Sequence, residues 1–397
     1  MSIRINEKIL FVFLTIAMSV QRLSMAIGNI FLGLSAVVFL FLLYKRYKDK
    51  TIFISQEYAY YYKLLLVVIL SAIPMSFFTG NILGEIKEVA ELWIYRVLPF
   101  YIITLFIFKD DVLKKGLQVL LISISIDSLV ACAQVLLGIS SRGWGLGGNT
   151  LILGSLVSML IPVMLVVIFD KNFTQKEKKF AVFVLLCCVL GSIAGKCRSS
   201  WVTLILTLPL VLVTYGYKSK KIISSSVIFI CLIGVFVYNS PVYYNRVVSI
   251  TNATTDRSNS QRIAVWKTGI QMTEDYLLTG TGDTKYKKTY NEQYRPAEDI
   301  QGLVHMHNNI LQFAVTGGIF YALGYLIFTF GVLYKNIREW IREKNVYSLM
   351  IILIFTSYFI YGMFDYTMGY SAGVKILFYL LAVISVLKKN AKSRLYE

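Results

Sequence analysis

Long apolar runs recur from one end of this chain to the other, most of them near the length that crosses a bilayer, and nothing else in the sequence narrows the fold as much. About twenty predominantly apolar residues span a hydrocarbon core as a helix. Twelve candidates stand out: Ile9–Val20, Ala26–Tyr44, Leu64–Phe78, Leu92–Phe108, Leu117–Gly138, Thr150–Phe169, Phe180–Ile193, Trp201–Tyr217, Ile222–Val237, Ile310–Tyr334, Tyr347–Met363 and Ala372–Leu387. The first and seventh are short, as tilted or interrupted helices are. With 56% hydrophobic residues, 16% charged residues and a mean hydropathy of +0.64, the chain is too apolar for a water-soluble domain. The expected fold is an all-α integral membrane protein of about twelve transmembrane helices with one large periplasmic loop containing helices.

A net charge of +18 raises the question of nucleic acid, but the positions of the charges answer against it. Lys and Arg gather in alternate short loops: Lys45–Lys50, Lys109–Lys115, Lys171–Lys179, Lys218–Lys221, Lys335–Lys344 and Lys388–Arg394. By the positive-inside rule these loops and both termini are cytoplasmic. The first apolar run is followed by Gln21-Arg22 and another span, so it reads as a transmembrane helix and not as a cleavable signal peptide. The cysteines Cys132, Cys187, Cys188, Cys197 and Cys231 lie in or beside spans without metal-ligand spacing and read as packing residues.

This topology divides the chain into helices 1–9 (residues 1–237), an outward loop (238–309) and helices 10–12 with a cytoplasmic tail (310–397). Every distinctive polar motif then faces the outer side. In the long loop, Ser258-Asn259-Ser260-Gln261 fits a capping box, and Ile263, Trp266 and Ile270 follow at helical spacing as one apolar stripe. The turn Leu278-Thr279-Gly280-Thr281-Gly282 comes after that helix, and Lys285 to Tyr294 reads as irregular. A glycine-rich loop runs from Ser140 to Asn149, and Thr79 to Glu91 reads as an interfacial helix.

Both histidines of the chain fall in His305-Met306-His307-Asn308-Asn309, at the end of the long loop. Histidine titrates nearest neutral pH, which makes it a candidate general base. Two residues apart, the rings point to opposite sides of a strand or about 200° apart on a helix, so they are not expected to act as a pair on one ligand. No Cys or carboxylate stands at ligand spacing nearby, and no metal or other cofactor is expected. Arg198, Arg262 and Arg142 are outward-facing cations where the positive-inside rule disfavours them. A guanidinium forks onto phosphate, and Arg262 is expected in the first turn of the loop helix, where the dipole already favours an anion. A base and several arginines on one membrane face suit an anionic, lipid-linked substrate such as a polyprenyl pyrophosphate carrying sugar.

Three motifs in order resemble the bacterial O-antigen ligase family and its polymerase relatives: Arg198-Ser199-Ser200-Trp201 after a span, Gln261-Arg262-Ile263-Ala264-Val265-Trp266-Lys267-Thr268-Gly269 in a large outer loop, and His305-Met306-His307-Asn308-Asn309 opening the next span. The stretch from Ser24 to Leu34 is also similar to the start of such ligases. The resemblance implies a C-type glycosyltransferase-like protein of the bacterial inner membrane, acting on its periplasmic face in lipopolysaccharide biosynthesis. Its donor would be undecaprenyl-pyrophosphate-linked O-antigen and its acceptor lipid A–core, with inversion, without a metal and without nucleic acid as a partner. Carried over by motif, His307 is the base and Arg198 and Arg262 bind the donor. Arg142, His305, Asn308 and Asp365 stand as further substrate-binding candidates, with the role of His305 left open. A polysaccharide polymerase using the same donor is the nearest alternative. A lipid-linked sugar transporter fits less well, since apart from Asp127 the spans are nearly free of ionisable residues.

Overall fold

The computed structural model describes residues 2–51, 54–106, 108–216, 235, 237–251, 256–296, 302 and 304–396. Among these, every regular element is helical, and eight helices are long and apolar enough to cross a membrane. The chain is a multi-pass α-helical protein. The expected run Ile222–Val237 lies almost entirely outside the described residues. The expected span Leu92–Phe108 is not one long helix: a π-helical turn at Glu91–Tyr95 is followed by the short helix Leu98–Leu105, with Pro99 at its start. Proline lacks the N–H that a continuous helix needs, so the chain re-initiates there.

The bundle has two polar ends. At one, cations and carboxylates are matched: Arg46 with Glu7 at 2.8 Å, Lys114 with Glu177 at 2.8 Å, and Lys388 between Glu339 at 2.6 Å and Glu57 at 3.0 Å. Between the ends lies an apolar core in which helices Thr150–Phe169 and Ser371–Tyr396 are the most enclosed spans. At the opposite end Arg22 donates to Asp127 at 2.8 Å and to the carbonyls of Trp144 and Asn149, while Asp127 also accepts the N–H of Leu146. Asp127 is thus part of a buried latch that ties the glycine-rich loop to the spans.

A second device organises this end. The helix Asn309–Glu343 is interrupted at Gly318, whose φ of 69° and ψ of −171° are open only to glycine. The segment after the loop helix docks into the break: Thr281 N–H donates to Val315 O, Gly282 N–H to Thr316 O and Ile319 N–H to Leu277 O. A side chain at Gly318 would meet the Leu277 carbonyl at 2.7 Å. Irregular backbone at membrane depth is tolerated where protein satisfies it, as it does here. Glu85, on the short helix Ile82–Ala90, closes the other side of this segment by accepting from Asp283 N–H, Thr284 N–H and the Thr284 hydroxyl.

The loop helix runs Arg257–Asp275, and its N-cap is Asp256, whose carboxylate accepts the Asn259 N–H. This corrects the expected capping box at Ser258. A carboxylate caps well, and Asp256 also reaches Arg198, which fixes the helix start two residues earlier. Arg262 consequently sits in the second turn and not the first. The buried face is Val265, Thr268, Gly269 and Met272, packed on the helix Asn309–Glu343. Gly269 permits that close approach, since a Cβ there would meet Leu311 at 2.8 Å. Ile270 is exposed and the expected stripe is out of phase, because Ile263 and Trp266 face a cavity instead of the core. The stretch after Lys285, read as irregular, forms helical turns at Tyr286–Thr289 and Tyr290–Tyr294.

Candidate functional site

Four arginines from separate parts of the chain line one cavity of about 530 Å³ at the second polar end: Arg142, Arg198, Arg246 and Arg262. Each is placed by its local structure. Arg142 projects from the latched glycine-rich loop and donates to Gly195 O. Arg198 opens a helix after a left-handed turn at Lys196, φ 46°, and is held by the Ser249 carbonyl and hydroxyl and by Asp256 at 3.1 Å. Arg246 lies on the helix Pro241–Thr251 and donates to Lys196 O. Arg262 comes from the loop helix.

These cations disfavour one another. Burial and the neighbouring Arg142 and Arg198 lower the pKa of Arg246, and burial with Arg246 and Arg142 lowers that of Lys196. Burial works to raise the pKa of Asp256, but the Asn259 N–H, Arg198 and Arg246 outweigh it and hold the carboxyl below its usual value. No described residue lining the cavity carries a carboxylate. Like charges converging around an open volume offer the donors with which a multiply charged anion could pair.

Beside this cavity the two histidines meet one carboxylate. His307 adopts φ 49°, a left-handed conformation uncommon outside glycine, and the chain folds back so that the His305 and His307 ring centroids lie 4.2 Å apart. The expectation that the rings diverge assumed regular backbone and is corrected here. His307 N–H donates to His305 Nδ1 at 3.2 Å, so His305 carries its proton on Nε2, which faces Asp365 Oδ1 at 3.8 Å. His307 Nδ1 lies 3.5 Å from the same oxygen and has no other partner among the described residues. That distance is at the outer limit of a hydrogen bond. A proton on Nδ1 directed at Asp365 would leave the Nε2 lone pair of His307 open.

Asp365 is completely buried and accepts the Tyr370 hydroxyl at 2.8 Å. Burial works to raise its pKa, but His307, His305 and Tyr370 outweigh it and hold the carboxyl below the ordinary value. His305 is pushed down to about 4, first by burial and then by His307, against the pull of Asp365. It is neutral at physiological pH. The ligand atoms of His305, His307 and Asp365 lie within 4.8 Å of one another. A metal on His305 Nε2 would require moving its proton to Nδ1, where it would confront the His307 N–H, so this tautomer does not suit a metal ligand.

Of the residues singled out from sequence, Arg142, Arg198 and Arg262 share the cavity, and His305, His307 and Asp365 form the cluster. Asn308 uses its amide in the fold: its oxygen caps the helix at Leu311 N–H and its nitrogen donates to Met363 O. Arg246 and Lys196 escaped the reading. The signal that marked Arg198, a cation on the outward side, applies equally to both.

The two features adjoin. A smaller cavity of about 180 Å³ shares Arg198, Ser199 and Arg262 with the larger one and is also lined by Trp266 and Phe364. Trp266 Nε1–H donates to Met306 O, between the histidines, and Phe364 precedes Asp365.

Residues 180–328 match the family model described as O-antigen ligase. The match includes Arg198, Arg246, Arg262, His305 and His307 and leaves Arg142 and Asp365 outside it. Comparison with curated proteins gives no match.

Proposed function

We propose that this chain, a member of the O-antigen ligase family, is a glycosyltransferase that moves O-antigen glycan from undecaprenyl pyrophosphate to a sugar of lipid A–core. The observation that carries this reading is the convergence of four arginines on one cavity next to a histidine pair that shares a buried aspartate. The lysine-rich end, by its charge, belongs in the cytoplasm, which directs the arginine-rich end to the periplasmic face of the inner membrane.

In this mechanism Arg198 and Arg262, with Arg142 and Arg246, hold the pyrophosphate of the donor and stabilise the charge it gains on leaving. His307 Nε2 takes the proton of an acceptor hydroxyl as that oxygen bonds to the anomeric carbon. The bond from that carbon to the pyrophosphate breaks with its electron pair going to the phosphate oxygen. Attack opposite the leaving group inverts the anomeric centre. Asp365 steadies the imidazolium that forms, and neutral His305 fixes the backbone turn that aims His307.

A cell-free reaction of the purified protein with polyprenyl-pyrophosphate glycan and lipid A–core tests the assignment. Glycan on lipid A–core is the expected product. Lengthening of the polyprenyl-linked glycan instead makes the protein a polymerase, and absence of both products in active preparations rejects the reading.

A further inference from the structure

The smaller cavity has a chemical character unlike its neighbour. Where the larger one is polar and ringed by guanidinium groups, the smaller has two half-buried aromatic walls, Trp266 and Phe364, with Ile263 beside them, while Arg198, Ser199 and Arg262 stand at the shared side and Asn259 completes the polar lining. Its walls are also mechanically tied to the base cluster. The Trp266 indole is fixed at its edge by the 3.0 Å bond to Met306 O, and Phe364 is joined directly to Asp365.

We propose that this cavity is the subsite for the first sugar of the donor, the pyranose ring attached to pyrophosphate, which stacks on Trp266 and Phe364. The inference rests on the pyrophosphate reading of the arginine cavity. Position supports it. The anomeric carbon has to lie between the phosphate held by arginines and the hydroxyl deprotonated by His307, and the smaller cavity adjoins Arg198 and Arg262 as well as the neighbours of His307 and Asp365. Size and chemistry support it too. A volume of about 180 Å³ suits one ring and not an oligosaccharide. A pyranose has an apolar C–H face that packs on an aromatic surface and an edge of hydroxyls that needs donors such as the two guanidinium groups. The loop helix places Ile263 and Trp266 in this cavity although their spacing marks them as a core stripe, so the aromatic wall is withheld from the core packing that would otherwise bury it.

Binding of two soluble analogues separates the subsite from its premise. Affinities of the full-length protein in detergent are measured by calorimetry for farnesyl pyrophosphate and for the same molecule carrying N-acetylglucosamine on its terminal phosphate. The wild type is expected to favour the sugar-bearing analogue by about tenfold, the scale of an aromatic contact. Trp266→Ala and Phe364→Ala should each remove most of that preference while binding farnesyl pyrophosphate normally, which also shows that they are folded. Trp266→Phe, which keeps a stacking face but cannot donate to Met306 O, should retain it. Equal weakening of both analogues by Trp266→Ala would assign the cavity to the isoprenyl chain and overturn the sugar subsite. So would an undiminished preference. If Arg262→Ala leaves farnesyl pyrophosphate affinity unchanged, the pyrophosphate reading fails and the subsite falls with it.

Discussion

The two polar ends of the bundle solve the same electrostatic problem in opposite ways. At the first, Lys388 is fully enclosed but touches Glu339 and Glu57, and Lys335 shares the same two carboxylates. At the second, Arg142, Arg198, Arg246 and Arg262 share a cavity to which Asp256 contributes one ion pair. Matched buried charge holds helices in register. Unmatched charge around an open volume costs folding energy unless something else supplies the negative partner, and such an excess marks a candidate ligand site.

The contrast predicts that substitutions at one end change activity and at the other change stability. The largest effect is expected from His307→Ala, which should lower transfer by about a thousandfold, the scale of a lost general base, in protein that still unfolds cooperatively in detergent. Breaking the opposite end should do the reverse. Glu339→Ala leaves buried Lys388 short of a partner and should cost about 3 kcal/mol in denaturant unfolding, while transfer per folded molecule stays at the wild-type value. Arg262→Ala should reduce kcat/KM for the donor by roughly a hundredfold, with a far smaller effect on the acceptor's KM, as steady-state kinetics with each substrate varied can show.

At the arginine-rich end, stability should also depend on pH. The folded pKa of His305, about 4, lies below its unfolded value near 6.5. The unfolded chain therefore binds more protons between those values, and stability falls as pH drops from 6.5 toward 4, by about 3 kcal/mol. His305→Asn should abolish that slope when unfolding is followed across the range. Asp365, held low in the fold, loses its contribution only at still lower pH, as pH falls through its depressed folded value. The smallest effect is on catalysis: the asparagine oxygen can accept the His307 N–H in place of Nδ1, so His305→Asn should lower kcat only a few-fold where His305→Ala lowers it more.

What the sequence disclosed and what it withheld follow from the range of the interactions involved. Membrane-spanning helices are written locally, in apolar runs and flanking lysines, and helices such as Thr150–Phe169 appear where expected. Arg198, Arg262 and His307 were visible because a cation or histidine on the side expected to face outward is conspicuous without knowing its neighbours. Their convergence was not visible. It depends on the break at Gly318, hinted at only by the Gly317-Gly318 pair, and on a loop inserted there from forty residues earlier in the chain. The pairing of His305 with His307 depends on one left-handed residue that spacing arguments assume away. The displaced N-cap shows the same limit, since Asp256 is fixed by Arg198, a residue remote in sequence.

The central claim is that the arginine-rich end holds a pyrophosphate, and the affinities of the purified protein for undecaprenyl pyrophosphate and undecaprenyl phosphate test it most directly. The wild type is expected to prefer the pyrophosphate by at least about tenfold, and the Arg198→Ala, Arg262→Ala double variant to lose the preference. Equal affinity for the two lipids in the wild type, or a preference that survives removal of both arginines, would contradict it.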